Sequence, residues 1–255
     1  MMKQSFSERR PLLAAIAAAL VCTLFTAVGT AVATITEQEG AAKYLLITPF
    51  LLLSVGLGVL YISRSRLTFT EYGFGRHALH GVSNAFFYLP LLLIELLPVA
   101  IYGFNPDLSS GLVLSLLLFT VAVGVNEELY FRGIALRLLR AGGIKRAIWL
   151  SSAIFGILHL ANLMAGKDPL YALLQMGFAF LVGFVLAELV VVTERIWVPI
   201  FWHALHDFLA YTTKDVQDLG ALLLLGAQVV ILLVYAVMLW KKLPENPCNR
   251  SQTRL

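Results

Sequence analysis

The sequence has little charge and almost no cysteine, and both shortages narrow what the protein can be. Asp, Glu, Lys and Arg make up 13% of its 255 residues, about half of the charged fraction of an ordinary soluble domain. Its two cysteines, Cys22 and Cys248, supply neither a disulfide framework nor a cysteine-based zinc finger. The chain also has no visible internal repeat, and such repeats are typical of many secondary transporters.

Apolar residues are what the chain has in abundance, at 59% of the total. Several apolar runs approach or exceed the ~20 helical residues needed to cross a bilayer, and none alternates with the two-residue period of a membrane β-barrel strand. We therefore predict an all-α fold, a polytopic membrane helical bundle with eight transmembrane helices. The predicted spans are residues 12–35, 44–62, 83–104, 110–131, 147–163, 170–191, 196–212 and 219–240.

The Lys and Arg residues predict how this bundle is oriented. With the N-terminus in the cytoplasm, three of the 19 basic residues, Lys43, Lys167 and Lys214, lie on the outer side, and the others follow the positive-inside rule. We expect cytoplasmic termini, one domain over residues 1–243, and a short cytoplasmic tail over residues 244–255. The net charge of +4 then indicates attraction to anionic lipid in the plasma membrane, and we expect no nucleic-acid partner.

The fourth span contains two adjacent glutamates and an arginine, Glu127, Glu128 and Arg132. Ionisable groups inside a membrane are costly and are functional-site candidates by default. Glu128 and Arg132 are four residues apart, on one face of a helix, and are predicted to form an ion pair. Glu127 points about 100° away from Glu128. It therefore has no local partner, which suits a general base.

Two histidines occur inside later apolar spans. His159 follows Phe155 by one helical turn, so the phenyl ring is predicted to pack beneath the imidazole. His203 shares a face with Asp207, and a carboxylate one turn away can orient the imidazole or bind a ligand together with it. His206 falls on a neighbouring face and is predicted to be an interfacial residue. Glu95, in the third span, has no partner nearby in sequence, and its role stays open.

Together these motifs resemble the CAAX-protease and bacteriocin-processing family of intramembrane endopeptidases, over residues of about 110–212. The resemblance rests on Glu127-Glu128-x-x-x-Arg132, Phe155-x-x-x-His159 and His203-x-x-x-Asp207. It implies an eight-helix bundle with a cavity open to cytosol and lipid, and a membrane peptide or prenylated protein as substrate. Prenyl-protein members carry Asn at the last motif position, where this chain has Asp207, and an ionised Asp cannot donate a hydrogen bond.

Two mechanisms fit these residues. In the favoured one, which needs no cofactor, Glu127 and His159 activate a water, and His203 stabilises the oxyanion with support from Asp207. In the other, His159, His203 and a carboxylate such as Glu127 bind zinc, which activates the water. We expect Glu127, His159 and His203 to meet in one cavity that faces the cytoplasm.

Two aromatic side chains are expected to line the cavity. Phe155 and Trp202 are predicted to border the approach of the substrate.

Two other classes of protein remain as alternatives. A proton-coupled transporter would use the buried Glu and His residues as a relay. A non-catalytic immunity or binding protein would sequester a membrane peptide without cleaving it.

Overall fold

The computed structural model describes residues 6–75, 88–163, 166, 168–216 and 218–244, and these residues are predominantly helical. Their only β-pairing is an isolated antiparallel bridge between Phe104 and Thr213. The predicted all-α class is therefore confirmed for this part of the chain. Residues 83–87 of the third predicted span and all of the predicted tail after Pro244 lie outside it. The α-helices are α1 (Phe6–Arg9), α2 (Pro11–Ile35), α3 (Gly40–Arg64), α4 (Leu89–Tyr102), α5 (Ser110–Glu128), α6 (Leu136–Leu139), α7 (Ile144–Leu158), α8 (Pro169–Thr193), α9 (Trp197–Thr212) and α10 (Leu219–Trp240).

Within the described residues, six helical segments are long and apolar enough to cross a membrane. They comprise α2, α3, α8, α10, the segment Ile144–Ala161 that extends α7, and a segment of 33 residues that begins with α5. Helices α4 and α9 contain 14 and 16 residues, fewer than the ~20 that span a hydrocarbon core without thinning or tilt effects. The prediction of eight membrane-spanning helices and the predicted orientation of the termini therefore stay predictions.

The 33-residue segment, Ser110–Gly142, forms the centre of the bundle. Helix α5 continues directly into a π-helical segment, Leu129–Ala135, all seven residues of which are buried. Such π segments are rare overall, but those that do occur are often found at functional sites. Helix α5 packs against both α3 and α9. A Cβ at Gly124 would lie 2.9 Å from the Ala204 backbone nitrogen, so glycine permits the close contact that brings α9 to the end of α5.

A second closely packed pair of helices supports this centre. Helices α7 and α8 contact each other along their length, and a Cβ at Gly156 would lie 2.8 Å from Phe180 Cβ. Because the backbones approach this closely, the end of α7 is held against α8 and beside the π segment. The short 3-10 helix His159–Leu163 then continues α7.

The connection after α3 tethers the start of α9. Gly73, at φ +93°, accepts a hydrogen bond from the Ile196 backbone N–H at 3.0 Å. Just before it, the Thr68 backbone N–H and hydroxyl donate to the Glu71 carboxylate and lower the pKa of Glu71. Glu71 also lies 3.5 Å from Arg137, which follows the π segment. This connection therefore links the two segments that carry the ionisable motifs.

Candidate active site

The ion pair predicted between Glu128 and Arg132 is present at the junction of α5 and the π segment. Arg132 Nη1 lies 3.0 Å from Glu128 Oε1, and the two side chains are 1% and 0% exposed. Neither Nη1 nor Nη2 makes a hydrogen bond in the described part of the chain, so the contact is ionic. The guanidinium carbon also lies 4.1 Å from the centroid of the Phe155 ring, a cation–π contact that further stabilises the buried charge.

His203 joins this ion pair from α9. The Nδ1–H of His203 donates to Glu128 Oε1 at 2.7 Å, and this bond fixes the orientation of the imidazole. Its Nε2 then faces two further carboxylates, with Glu127 Oε2 at 3.6 Å and Asp207 Oδ2 at 3.8 Å. Glu127 Oε2 is buried and has no hydrogen-bond partner among the described residues. One imidazole is thus surrounded by three carboxylates.

Phe155 and His159 approach the same group from α7. The His159 Nδ1–H donates to the Phe155 carbonyl oxygen at 2.8 Å, and a carbonyl can only accept, so Nε2 is the nitrogen left for other partners. The Phe155 ring meets the His159 ring edge-on at 4.7 Å and the His203 ring at 6.0 Å. His159 interacts electrostatically with His203, Asp207 and Arg132. The Phe155 ring therefore contacts both imidazoles.

The two side chains predicted to line the substrate approach are both buried. Phe155 is 2% and Trp202 is 4% exposed. Phe155 packs beneath two imidazoles and a guanidinium, and Trp202 donates from Nε1 to the Leu91 carbonyl oxygen at 3.0 Å. Phe155 and Trp202 therefore pack beneath polar groups and support them. Trp197, on the first turn of α9, is the exposed tryptophan of this helix, at 53%.

A glycine on α8 gives Phe155 and Arg132 room to meet. A Cβ at Gly183 would lie 2.9 Å from Phe155 Cδ1 and 3.2 Å from Arg132 Nη2. We expect Gly183→Ala to lower the free energy of unfolding by about 1–3 kcal/mol, because overpacking forces these two side chains apart. Thermal unfolding in detergent measures this. Gly177→Ala, on the same helix with no atom within 4 Å of its Cβ, is the matched control, and an equal loss for both variants would contradict the prediction.

The sequence comparison agrees with this geometry. Residues 109–209 match the family model described as type II CAAX prenyl endopeptidase Rce1-like. The matched segment holds all three motifs and every contact described above between α5, α7, α8 and α9. This part of the chain is similar to the CAAX-protease family. Comparison with curated proteins and with solved structures gives no match.

Members of the CAAX-protease family are intramembrane proteases. The apolar helices of the described residues agree with this similarity and support a multi-pass membrane protein. The zinc site considered from the sequence does not fit the residues as they are arranged. No three His, Cys, Asp or Glu side chains within the described ranges are grouped so that they could hold a metal ion. His203 Nε2 is 3.6 Å from Glu127, and His203 Nδ1 already donates to Glu128.

One pair near the CAAX-protease motifs was missed from the sequence. His206, predicted to be interfacial, bonds through Nδ1 to the carboxylate of Glu95, at 3.0 Å from Oε1 and 3.2 Å from Oε2. Glu95 is 3% exposed and lies on α4, outside the matched segment. The available signal was chemical: two unpaired intramembrane groups of opposite chemistry are often partners. This pairing could not be predicted from sequence spacing, because the two residues are 111 positions apart, and the interfacial location of His206 stays a prediction.

Proposed function

We propose that the protein is an intramembrane endopeptidase of the CAAX-protease type that cleaves a membrane-associated peptide or the C-terminus of a lipidated protein. The observation that carries this proposal is the arrangement of His203, whose Nδ1 is held by Glu128 at 2.7 Å while Nε2 faces Glu127 at 3.6 Å. A fixed imidazole lies beside a carboxylate oxygen that has no hydrogen-bond partner among the described residues. Together they supply the two groups that peptide hydrolysis needs: an oxyanion donor and a base.

The reaction proceeds in two steps on these residues. Glu127 Oε2 takes a proton from water as the water oxygen bonds to the peptide carbonyl carbon, and the carbonyl electron pair moves onto its oxygen. The Nε2–H of His203 donates to that oxyanion. The intermediate then collapses, the C–N bond breaks, and the proton held by Glu127 passes to the leaving amine. His159 orients the water through its free Nε2, and Asp207 orients His203.

Glu128 and Arg132 position His203 in this scheme. The Arg132 guanidinium compensates the Glu128 carboxylate at 3.0 Å, and Glu128 in turn fixes the imidazole. In this proposal the protein lies in the plasma membrane, and its active site faces the cytoplasm. The bias of Lys and Arg toward one set of connections supports that orientation.

Cleavage by the purified protein in lipid nanodiscs tests the proposal. The substrates are a prenylated C-terminal peptide, the same peptide without the lipid, and an unmodified membrane-spanning peptide. We expect at least one of the two membrane-bound peptides to be cut. We also expect His203→Gln to lower kcat by about 100-fold or more, the usual cost of losing an oxyanion donor. The control is Phe201→Leu, because Phe201 is on the same helix and 70% exposed.

The alternatives give different results in the same preparation. Tight binding of a peptide without cleavage would favour the non-catalytic binding protein. Proton flux in vesicles that is lost on changing Glu127 would favour the transporter. Turnover that is lost with a zinc chelator and restored by zinc would favour the metal-dependent mechanism over the activated water of Glu127.

A further inference from the structure

Two carboxylate–imidazole pairs lie side by side on α9. In the first, His203 bonds through Nδ1 to Glu128 at 2.7 Å. In the second, His206 bonds through Nδ1 to Glu95 at 3.0 Å. In both, the carboxylate comes from another helix and fixes the ring, which leaves Nε2 directed away from the carboxylate. Glu95 and His206 have no part in the hydrolytic steps described above.

The His206 ring is held more firmly than its bond to Glu95 alone requires. It stacks on Trp202 at 5.0 Å with 15° between the ring planes, and on Phe178 at 5.8 Å with 27°. Trp202 is itself anchored to α4 through the Leu91 carbonyl oxygen at 3.0 Å, one turn before Glu95. A ring fixed between two aromatic faces and a buried carboxylate is a positioned group, and a solvated interfacial histidine needs none of these contacts.

Asp207, the residue after His206, is where the two pairs meet. Its carboxylate interacts electrostatically with His203 and His206, and more weakly with Glu127 and His159. Glu127 and Asp207 both approach the same nitrogen of His203, at 3.6 and 3.8 Å. Arg132 is already paired with Glu128. In the mechanism above His203 carries both N–H groups and lies between these two carboxylates, but one cation compensates only one of two like charges. A second cation near Asp207 would compensate the other in this poorly hydrated site.

We propose that Glu95 and His206 form a positioning pair whose imidazolium compensates the Asp207 carboxylate, and that this pair allows aspartate to occupy the last motif position. Glu95 keeps His206 charged and oriented. His206 in turn keeps Asp207 available as an acceptor that orients His203. This inference rests on the proposed hydrolytic function. It adds to the site His206 of α9 and its partner Glu95 of α4, which lies outside the segment matched by the family model.

The inference predicts that Glu95 matters only when Asp207 is present. Glu95→Gln in the otherwise unchanged protein should lower kcat about tenfold with little change in KM. In an Asp207→Asn background, which has no carboxylate to compensate, the same substitution should change kcat less than about threefold, a non-additivity typical of directly coupled residues. Equal fold-changes in the two backgrounds would overturn the inference.

Gln228→Met is the matched control for loss of an α4 contact. The Gln228 side chain donates to the Ile94 carbonyl oxygen at 2.9 Å, next to Glu95, but contacts no group of the site. It should loosen α4 to a similar extent without changing kcat. If Glu95→Gln does not fold, His206→Gln replaces it in the same cycle. A tenfold fall in kcat for Gln228→Met would mean that the effect is merely structural.

Melting temperatures of the same four proteins give a readout that does not depend on turnover. The fall in melting temperature caused by Glu95→Gln should be smaller by about 2–4 °C in the Asp207→Asn background. Additive shifts would contradict the inference even if no peptide were cleaved. Its failure is distinguishable from that of the proposed function, because additive cycles in an enzyme that still requires Glu127 would reject the positioning pair alone.

Discussion

Replacing Glu127 by glutamine is expected to abolish peptide cleavage while leaving the melting temperature nearly unchanged. Glu127 Oε2 is buried and has no hydrogen-bond partner in the part of the chain that the structure describes, so an amide of the same shape disturbs no bond at that atom. The amide cannot take a proton from water. We expect kcat to fall by about a thousandfold, within the range for loss of a general base.

Single-turnover cleavage and thermal unfolding in detergent, measured on the same preparation, check this result. Glu39→Gln is the control, because this carboxylate is exposed at the connection between α2 and α3. It should leave both measurements unchanged. Near-normal turnover by a folded Glu127→Gln protein would show that another group takes the proton.

Neutralising either member of the Glu128–Arg132 pair should instead destabilise the fold. Both side chains are almost fully buried and lie 3.0 Å apart, so neutralising one deprives the other of an ion-pair partner in a buried site. Breaking a buried pair in this way costs about 3–5 kcal/mol. We therefore expect a large fall in melting temperature for Glu128→Gln and for Arg132→Gln, and a smaller fall for the double variant, in which neither charge remains.

An exposed ion pair provides the comparison. Arg66 lies 3.8 Å from Glu8, and the two side chains are 63% and 45% exposed, so Arg66→Gln should change stability by less than about 1 kcal/mol. Unchanged melting temperatures for Glu128→Gln and Arg132→Gln would mean that the buried pair contributes nothing to folding. Glu128→Gln should also lower activity, because it weakens the bond that fixes His203.

Most of the long helices could be predicted from the sequence, because their apolar runs are long enough to cross a membrane. The predicted spans 12–35 and 219–240, for instance, differ by at most one residue from α2 and α10. The π segment could not be predicted, because its residues Leu129–Ala135 are as apolar as those of an α-helix. Whether the short helices α4 and α9 cross the whole bilayer depends on the lipid around them.

Local contacts of the site were also predictable, since spacings of four residues put Glu128 beside Arg132 and Phe155 beside His159. The contact of Glu128 with His203 was not, because which face of α9 meets α5 is decided by packing at Gly124. The pairing of Glu95 with His206 was missed for the same reason. Long-range partners follow from how helices pack, and neither residue has a spacing signal.

The π segment has a consequence for how this chain should be aligned with others. A π turn closes over one more residue than an α turn, so deleting one residue between Leu129 and Ala135 would restore an α-helix. Everything after the deletion, including α6, would then rotate by about 100° relative to Glu128. Relatives that lack the wider turn should align with a one-residue gap shortly after the two glutamates. Without that gap, the alignment would place the residues after the π segment on the wrong face of the helix.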